Sequence, residues 1–183
     1  MLLLMMFTGG KQLMRAAIFL LLCVLAAPAL HSAEDDHSLV FSIGGFSGDE
    51  TSGIAMGFYS LRPNAVGLYI NGTLSSSVDD DDNFRPIPGD IRVDSDTDSV
   101  TLNIGLTYAL GRFASYVGGG ITQVSEYGLY RAPSAAFWYE EEDETKFNAN
   151  AGILVTLHRN LGLDLGANSA NEEVVLGLNW RFR

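Results

Sequence analysis

The chain has 183 residues, with 22 acidic and 11 basic side chains, a formal net charge of −11 and one cysteine. That balance excludes a nucleic-acid binder, which needs clustered lysine and arginine to neutralise phosphates. Glycine is plentiful and evenly spread, and short apolar-alternating runs lie between polar patches, which points to one all-β domain.

Lys11 and Arg15 are the only charges before Glu34, and residues 16–30 form a continuous apolar run. A positive start, a short apolar core and a small-residue end make a cleaved secretory signal. A membrane helix would need about 20 apolar residues. Residues 1–33 are therefore read as a signal peptide, cleaved after Ala29 or Ala33. The stretch from Met14 onward would form a complete signal alone. Cys23 follows Leu22, whereas a lipoprotein signal wants a small residue there. The mature domain, 34–183, then lacks cysteine and with it any disulfide or thiol nucleophile. It keeps all 22 acidic residues and only nine basic ones.

Eight alternating segments follow. Side chains alternate across a strand, so each reads as a strand with one apolar face and one small or polar face. The first is 38–46, with Leu39, Phe41 and Ile43 on one face. The second, 54–61, sets Ile54, Met56 and Phe58 against Ala55, Gly57 and Tyr59. The third, 65–74, sets Val66, Leu68 and Ile70 against Gly67, Tyr69, Asn71 and Thr73. The fourth, 100–108, sets Val100, Leu102, Ile104, Leu106 and Tyr108 against Thr101, Asn103, Gly105 and Thr107. In the fifth, 113–124, three glycines erase the contrast, and Phe113, Val117 and Ile121 are read as outward. The sixth, 147–157, sets Ala149, Ala151, Ile153, Val155 and Leu157 against Asn148, Asn150, Gly152 and Thr156. The seventh, 161–168, sets Leu161, Leu163, Leu165 and Ala167 against Gly162, Asp164, Gly166 and Asn168. The eighth, 174–183, sets Val174, Leu176, Leu178, Trp180 and Phe182 against Val175, Gly177, Asn179 and Arg181.

The connections alternate in kind. Arg62-Pro63-Asn64, Leu110-Gly111-Arg112 and His158-Arg159-Asn160 are tight turns rich in arginine. The other connections, including 75–98 and 125–146, are longer and acidic. Short turns on one side and long loops on the other make an up-and-down barrel crossing a membrane. A soluble lipocalin-type barrel would carry many Lys and Glu on its outer face, but here nearly all charges lie in the connections.

Residues 116–121, Asn150-Ala151-Gly152, 160–166 and 177–182 resemble the last four strands of the small eight-stranded outer-membrane barrels, the superfamily of the OmpA transmembrane domain and the OmpX-like proteins. The resemblance implies an all-β, eight-stranded antiparallel transmembrane barrel in the outer membrane, with both termini periplasmic. It implies outer-membrane lipid, lipopolysaccharide and the assembly machinery as partners, the last reading Trp180 and Phe182 as an assembly signal. The chain lacks the peptidoglycan-binding domain of OmpA, so a cell-wall tether is not implied. The reading is a non-enzymatic barrel with a structural or surface-interaction role and no cofactor. A small-solute channel and a lipid A-modifying enzyme are the alternatives.

An enzyme of that second kind needs a histidine in reach of a serine. His31 lies in or beside the signal, His37 before the first strand, and His158 in a tight turn. The acid run 79–82 and the Asp94, Asp96, Asp98 series invite a calcium reading. An EF-hand counted from Asp94 fails, having Ser99 at its glycine position and Gly105 at its glutamate position. The three aspartates share the parity of Val100, so an upward extension of the strand would turn them outward, where divalent cations could bridge them to lipopolysaccharide. Tyr127, Tyr130, Phe137 and Trp138 crowd the third long loop as recognition candidates, with loop self-packing the other reading. Inside the barrel, Asp164 and Arg181 are expected to pair as a lumenal salt bridge, since an orphaned charge there is costly.

Overall fold

In the computed structural model, which describes residues 38–48, 51–75, 85–131 and 136–182, the strands form a closed barrel in sequence order. They are β1 (Ser38–Ser47), β2 (Ser52–Leu61), β3 (Val66–Leu74), β4 (Ile91–Leu110), β5 (Phe113–Arg131), β6 (Ala136–His158), β7 (Leu161–Asn168) and β8 (Glu173–Phe182). β8 closes the ring on β1, with Phe41 opposite Trp180 and Leu39 opposite Phe182. Closure pairs the backbone groups internally, as a lipid environment requires. The signal segment 1–33 with both cleavage positions, His31, His37 and the acid run 79–82 lie outside the described residues.

Three tight turns mark one end of the barrel, here called the turn end. Each holds one residue in the left-handed region: Asn64 at φ 54°, Gly111 at φ 61° and Arg159 at φ 43°. Glycine reaches that region without a Cβ clash, and asparagine reaches it more easily than most residues. These are the three turns that the sequence marks.

The alternation runs apolar out and polar in. Val66, Leu68, Ile104, Leu106, Val117 and Leu176 are exposed, while Thr101, Asn103, Thr107, Asn148 and Asn179 are buried in the lumen. In water so wide an apolar surface would aggregate, whereas hydrocarbon is its matched solvent. The ambiguous fifth segment takes the expected facing: Phe113, Val117 and Ile121 are exposed, and Ala114 and Tyr116 are buried.

The structure departs from the sequence reading in strand length. β4, β5 and β6 have 20, 19 and 23 residues. The connections 75–98 and 125–146, expected as loops, instead contribute Ile91 to Asp98 of β4, the upper part of β5 and the upper part of β6. These segments form a three-stranded sheet beyond the ring, at what is here called the hairpin end. Polar residues stand at both parities in 94–97 and 140–145, so the period-two contrast disappears there. Pairing carries the strands instead, with register shifts at Arg92/Asp94 and at Glu126/Tyr127. Such bulges increase the local twist.

Candidate functional site

Two regions could carry a function, the lumen and the projecting sheet. In the lumen, Tyr59, Tyr69 and Tyr116 reach inward from β2, β3 and β5. Their ring centroids lie 5.1 to 5.6 Å apart. With Val40, Leu61, Ala109, Ala114 and Leu154 they form the apolar core of the barrel. Glycines in the wall make the room. A Cβ at Gly152 would stand 2.3 Å from Tyr116 Cζ, and one at Gly166 would stand 2.2 Å from the Tyr116 hydroxyl.

Asp164 faces this layer and is 2% exposed. The Tyr59 hydroxyl donates to its Oδ2 at 2.8 Å, and the Tyr116 hydroxyl donates to its Oδ1 at 3.0 Å. Ser42 adds a third hydroxyl. The expected Asp164–Arg181 salt bridge is therefore a correction: Asp164 takes neutral hydroxyl donors instead. The register explains it. Asp164 lies opposite Gly177, not opposite Leu178 and Asn179, so Arg181 is four residues further along β8. At roughly 3.3 Å per residue the two positions are about 13 Å apart along the strand. The lumenal amides on either side are engaged elsewhere. Asn179 Nδ2 donates to the Leu163 carbonyl at 2.7 Å, and Asn150 Nδ2 donates to Asn168 Oδ1 at 2.7 Å.

Towards the hairpin end the lumen fills with amides. Asn103 Nδ2 donates to Asn71 Oδ1 and to Asn168 Oδ1, both at 3.1 Å, and Asn148 Nδ2 donates to Asn103 Oδ1 at 2.7 Å. The network ends on Glu173, whose Oε2 accepts from Asn168 Nδ2 at 2.7 Å and from Thr73 Oγ1 at 3.0 Å. Glu173 reads as a loop residue in the sequence, yet it is 1% exposed. Continuing the inward parity of Arg181, Asn179, Gly177 and Val175 by one step would have found it. Between the two layers lies a void of about 10 Å³, lined by Tyr59, Asn71, Thr73 and Asp164 among others. That is room for about one water molecule.

The projecting sheet holds the aromatic candidates. Tyr127 and Phe137 are buried, so the sheet packs them rather than presenting them. Phe137 stacks on Tyr130 at a centroid distance of 6.1 Å. Trp138 stands opposite Leu129. Glu141 is the unpaired residue at the β6 register shift. Its carboxylate accepts from the Tyr130 hydroxyl and pairs with Arg92 at 2.8 Å. That hydrogen bond to Glu141 is the main cause that raises the Tyr130 phenol above its ordinary range.

The β4 strand does extend through Asp94, Asp96 and Asp98, which lie opposite Leu129, Tyr127 and Ser125. They do not converge. Residues two apart on a strand are spaced by roughly 6.6 Å, Asp98 is buried, and Asp94 is exposed. Among the described residues, no group of three or more His, Cys, Asp or Glu side chains is placed to hold a metal ion. His158 is exposed at the turn end of β6. Trp180 and Phe182 point outward at 49% and 51% exposure. Phe41, which pairs with Trp180, also packs on Phe58 at 5.1 Å, so aromatics cover the seam where the ring closes.

An apolar outer band, a polar filled lumen and eight closed antiparallel strands define a transmembrane β-barrel of the outer-membrane kind. Among solved structures, the chain is similar to Ail, the attachment invasion locus protein of Yersinia pestis, at 14% identity and a TM-score of 0.52, over 80% of this chain and 96% of that one. The same protein in complex with the heparin analogue sucrose octasulfate matches at 13% identity and 0.52, with the same shares. The N-terminal barrel of Pseudomonas aeruginosa OprF matches at 12% identity and 0.47, over 81% of this chain and all of that one. No family model matches the chain, and neither does any curated protein sequence.

Proposed function

We propose that the chain is a non-enzymatic barrel of a Gram-negative outer membrane with a structural or surface-interaction role. Both termini lie in the periplasm, and the β4–β5–β6 sheet stands outside the cell. The observation that carries this reading is the contrast between the filled lumen and the sheet projecting beyond the apolar band. An even strand count puts both chain ends on one side, and short turns belong to the periplasmic side of such barrels. The export signal read at 1–33 and the acidic outer connections agree. Outer-membrane lipid and lipopolysaccharide surround the barrel, and the assembly machinery reads Trp180 and Phe182.

The Tyr59, Tyr69 and Tyr116 layer argues against a small-solute channel. An eight-stranded ring is only just wide enough for its own side chains. The exposed position of His158 at the turn end supports a role without lipid chemistry. The projecting sheet carries Asp94, Asp96, Glu126 and all five acids of 140–144. A sulfated ligand of the kind bound by Ail is therefore not carried over to this chain.

The test is cell fractionation with a gel of unheated and boiled samples, joined to planar-bilayer recording. A folded barrel in the outer-membrane fraction migrates differently in the two lanes and gives no large, stable openings. Large openings would favour the channel. Recovery as a soluble periplasmic protein with no shift would overturn the reading.

A further inference from the structure

Among the described residues, the projecting sheet has two outer edges, and they differ. On β4, Ser99 faces away from β5: its carbonyl accepts from the Ser75 amide at 2.9 Å. Residues of like parity on a strand point to the same side, so the Thr97 and Ser95 amides face outward too. All three are capped by side-chain oxygens. Ser99 N donates to Ser75 Oγ at 2.6 Å, Thr97 N to Asp96 Oδ1 at 2.8 Å, and Ser95 N to Asp94 Oδ1 at 2.9 Å. The amides of this edge are thus taken by Asp94, Asp96 and Ser75.

On β6 the outward parity is set by Ala149, whose carbonyl accepts from the Ser169 amide at 2.9 Å and whose amide donates to Ser169 Oγ at 2.8 Å. The next residues of that parity are Phe147, Thr145 and Asp143. Each is exposed, and β7 ends its pairing below them at Asn150. Among the described residues, none of their outward backbone groups has a partner. An open edge of this kind is a template for another strand. The acids of 140–144, offset only in part by Arg92 on Glu141 and Lys146 on Glu144, decide what can use it. A second copy would set acids against acids, which destabilises paired strands.

We infer that the outer edge of β6 at Asp143, Thr145 and Phe147 accepts an extended, basic segment of another protein as an added strand. The capped β4 edge does not. This rests on the reading of the sheet as a cell-surface interaction element, and it names the edge and the chemistry of the partner. Lysines or arginines at every second position of the incoming segment would face Glu142 and Glu144, while its amides and carbonyls complete the ladder.

The test uses the folded barrel in zwitterionic micelles, with folding checked by its unheated gel shift, so failure here is distinct from failure of the barrel reading. The probe is a short peptide alternating lysine and threonine. Two controls are the same peptide with every amide N-methylated and a version with glutamate for lysine. At saturation, amide exchange at Asp143, Thr145 and Phe147 should slow at least about tenfold, with Ser95 and Thr97 unchanged. Thr145→Pro removes the central edge donor and should weaken binding about tenfold or more. Should that variant fail to fold, the methylated peptide decides alone: loss of binding supports the added strand. Equal binding of the methylated peptide, unchanged exchange along β6, or self-association of the barrel in place of peptide binding would overturn the inference.

Discussion

Tyr59 and Asp164 stand 105 residues apart in the chain and 2.8 Å apart in space, joining β2 to β7 across the lumen. With Tyr116 on the second carboxylate oxygen, three strands are tied at one buried group. Asp164→Asn exchanges an acceptor for a partial donor against two hydroxyls and should cost about 1–3 kcal/mol. Tyr59→Phe and Asp164→Asn should couple by about 1 kcal/mol in a double-mutant cycle, while Asp164→Asn and Arg181→Gln should add to within about 0.5 kcal/mol. Urea unfolding in micelles measures both cycles. Stronger coupling of Asp164 to Arg181 than to Tyr59 would refute this view of the lumen.

The tyrosine layer also depends on bare backbone opposite it. Gly166→Ala places a Cβ 2.2 Å from the Tyr116 hydroxyl but 3.3 Å from its Cζ. The substitution should cost about 1–3 kcal/mol, the scale of overpacking a filled core. Tyr116→Phe should relieve most of that cost. At Gly152 the clash is with Cζ itself, so the same background should not rescue Gly152→Ala. Equal rescue at both sites, read from unfolding midpoints, would show that the ring does not rest on these glycines.

Outside the barrel, the Tyr130 phenol is held above its ordinary value by its hydrogen bond to Glu141. A raised phenol favours the neutral form in the folded sheet. Its stabilising contribution is complete below the ordinary value near ~10 and is lost as pH rises through the raised one. Glu141→Gln should lower the titration midpoint of Tyr130, followed by NMR of its ring carbon. No change would remove Glu141 as the cause.

The ring was legible because one face of every strand meets lipid. Leu102, Ile104 and Leu106 against Thr101, Asn103 and Thr107 is a contrast that the bilayer itself imposes. The three turns were legible for the same reason, since Asn64, Gly111 and Arg159 interrupt it. The projecting sheet was not legible, because 94–97 and 140–144 are polar at both parities and carry no period-two signal. Side-chain partners across the lumen were legible only as inward parity. Tyr59 was visible as inward-facing, but that it meets Asp164 depends on tilt and register summed over several strands. A slip of one to two residues at the β7–β8 connection was enough to misplace Arg181.

The closing strand carries a prediction for assembly. Trp180 and Phe182 sit on the lipid face where β8 meets β1. Phe182→Ala, or removal of Trp180 through Arg183, should leave unassembled chain to periplasmic proteases. Outer-membrane levels by immunoblot are the measure. Normal levels of both variants would remove these residues as a signal.

Orientation is the claim on which the surface role depends, and the chain suits a direct measurement of it. Its one cysteine, Cys23, lies in the segment read as the signal peptide. Single cysteines can therefore be placed at Glu142, on the projecting sheet, and at Arg112, in a tight turn, and exposed to a membrane-impermeant maleimide. Labelling of Glu142→Cys on intact cells, with Arg112→Cys labelled only after the outer membrane is permeabilised, is the expected result. The reverse pattern, or labelling of neither site until the cells are broken open, would contradict a barrel that presents this sheet to the outside.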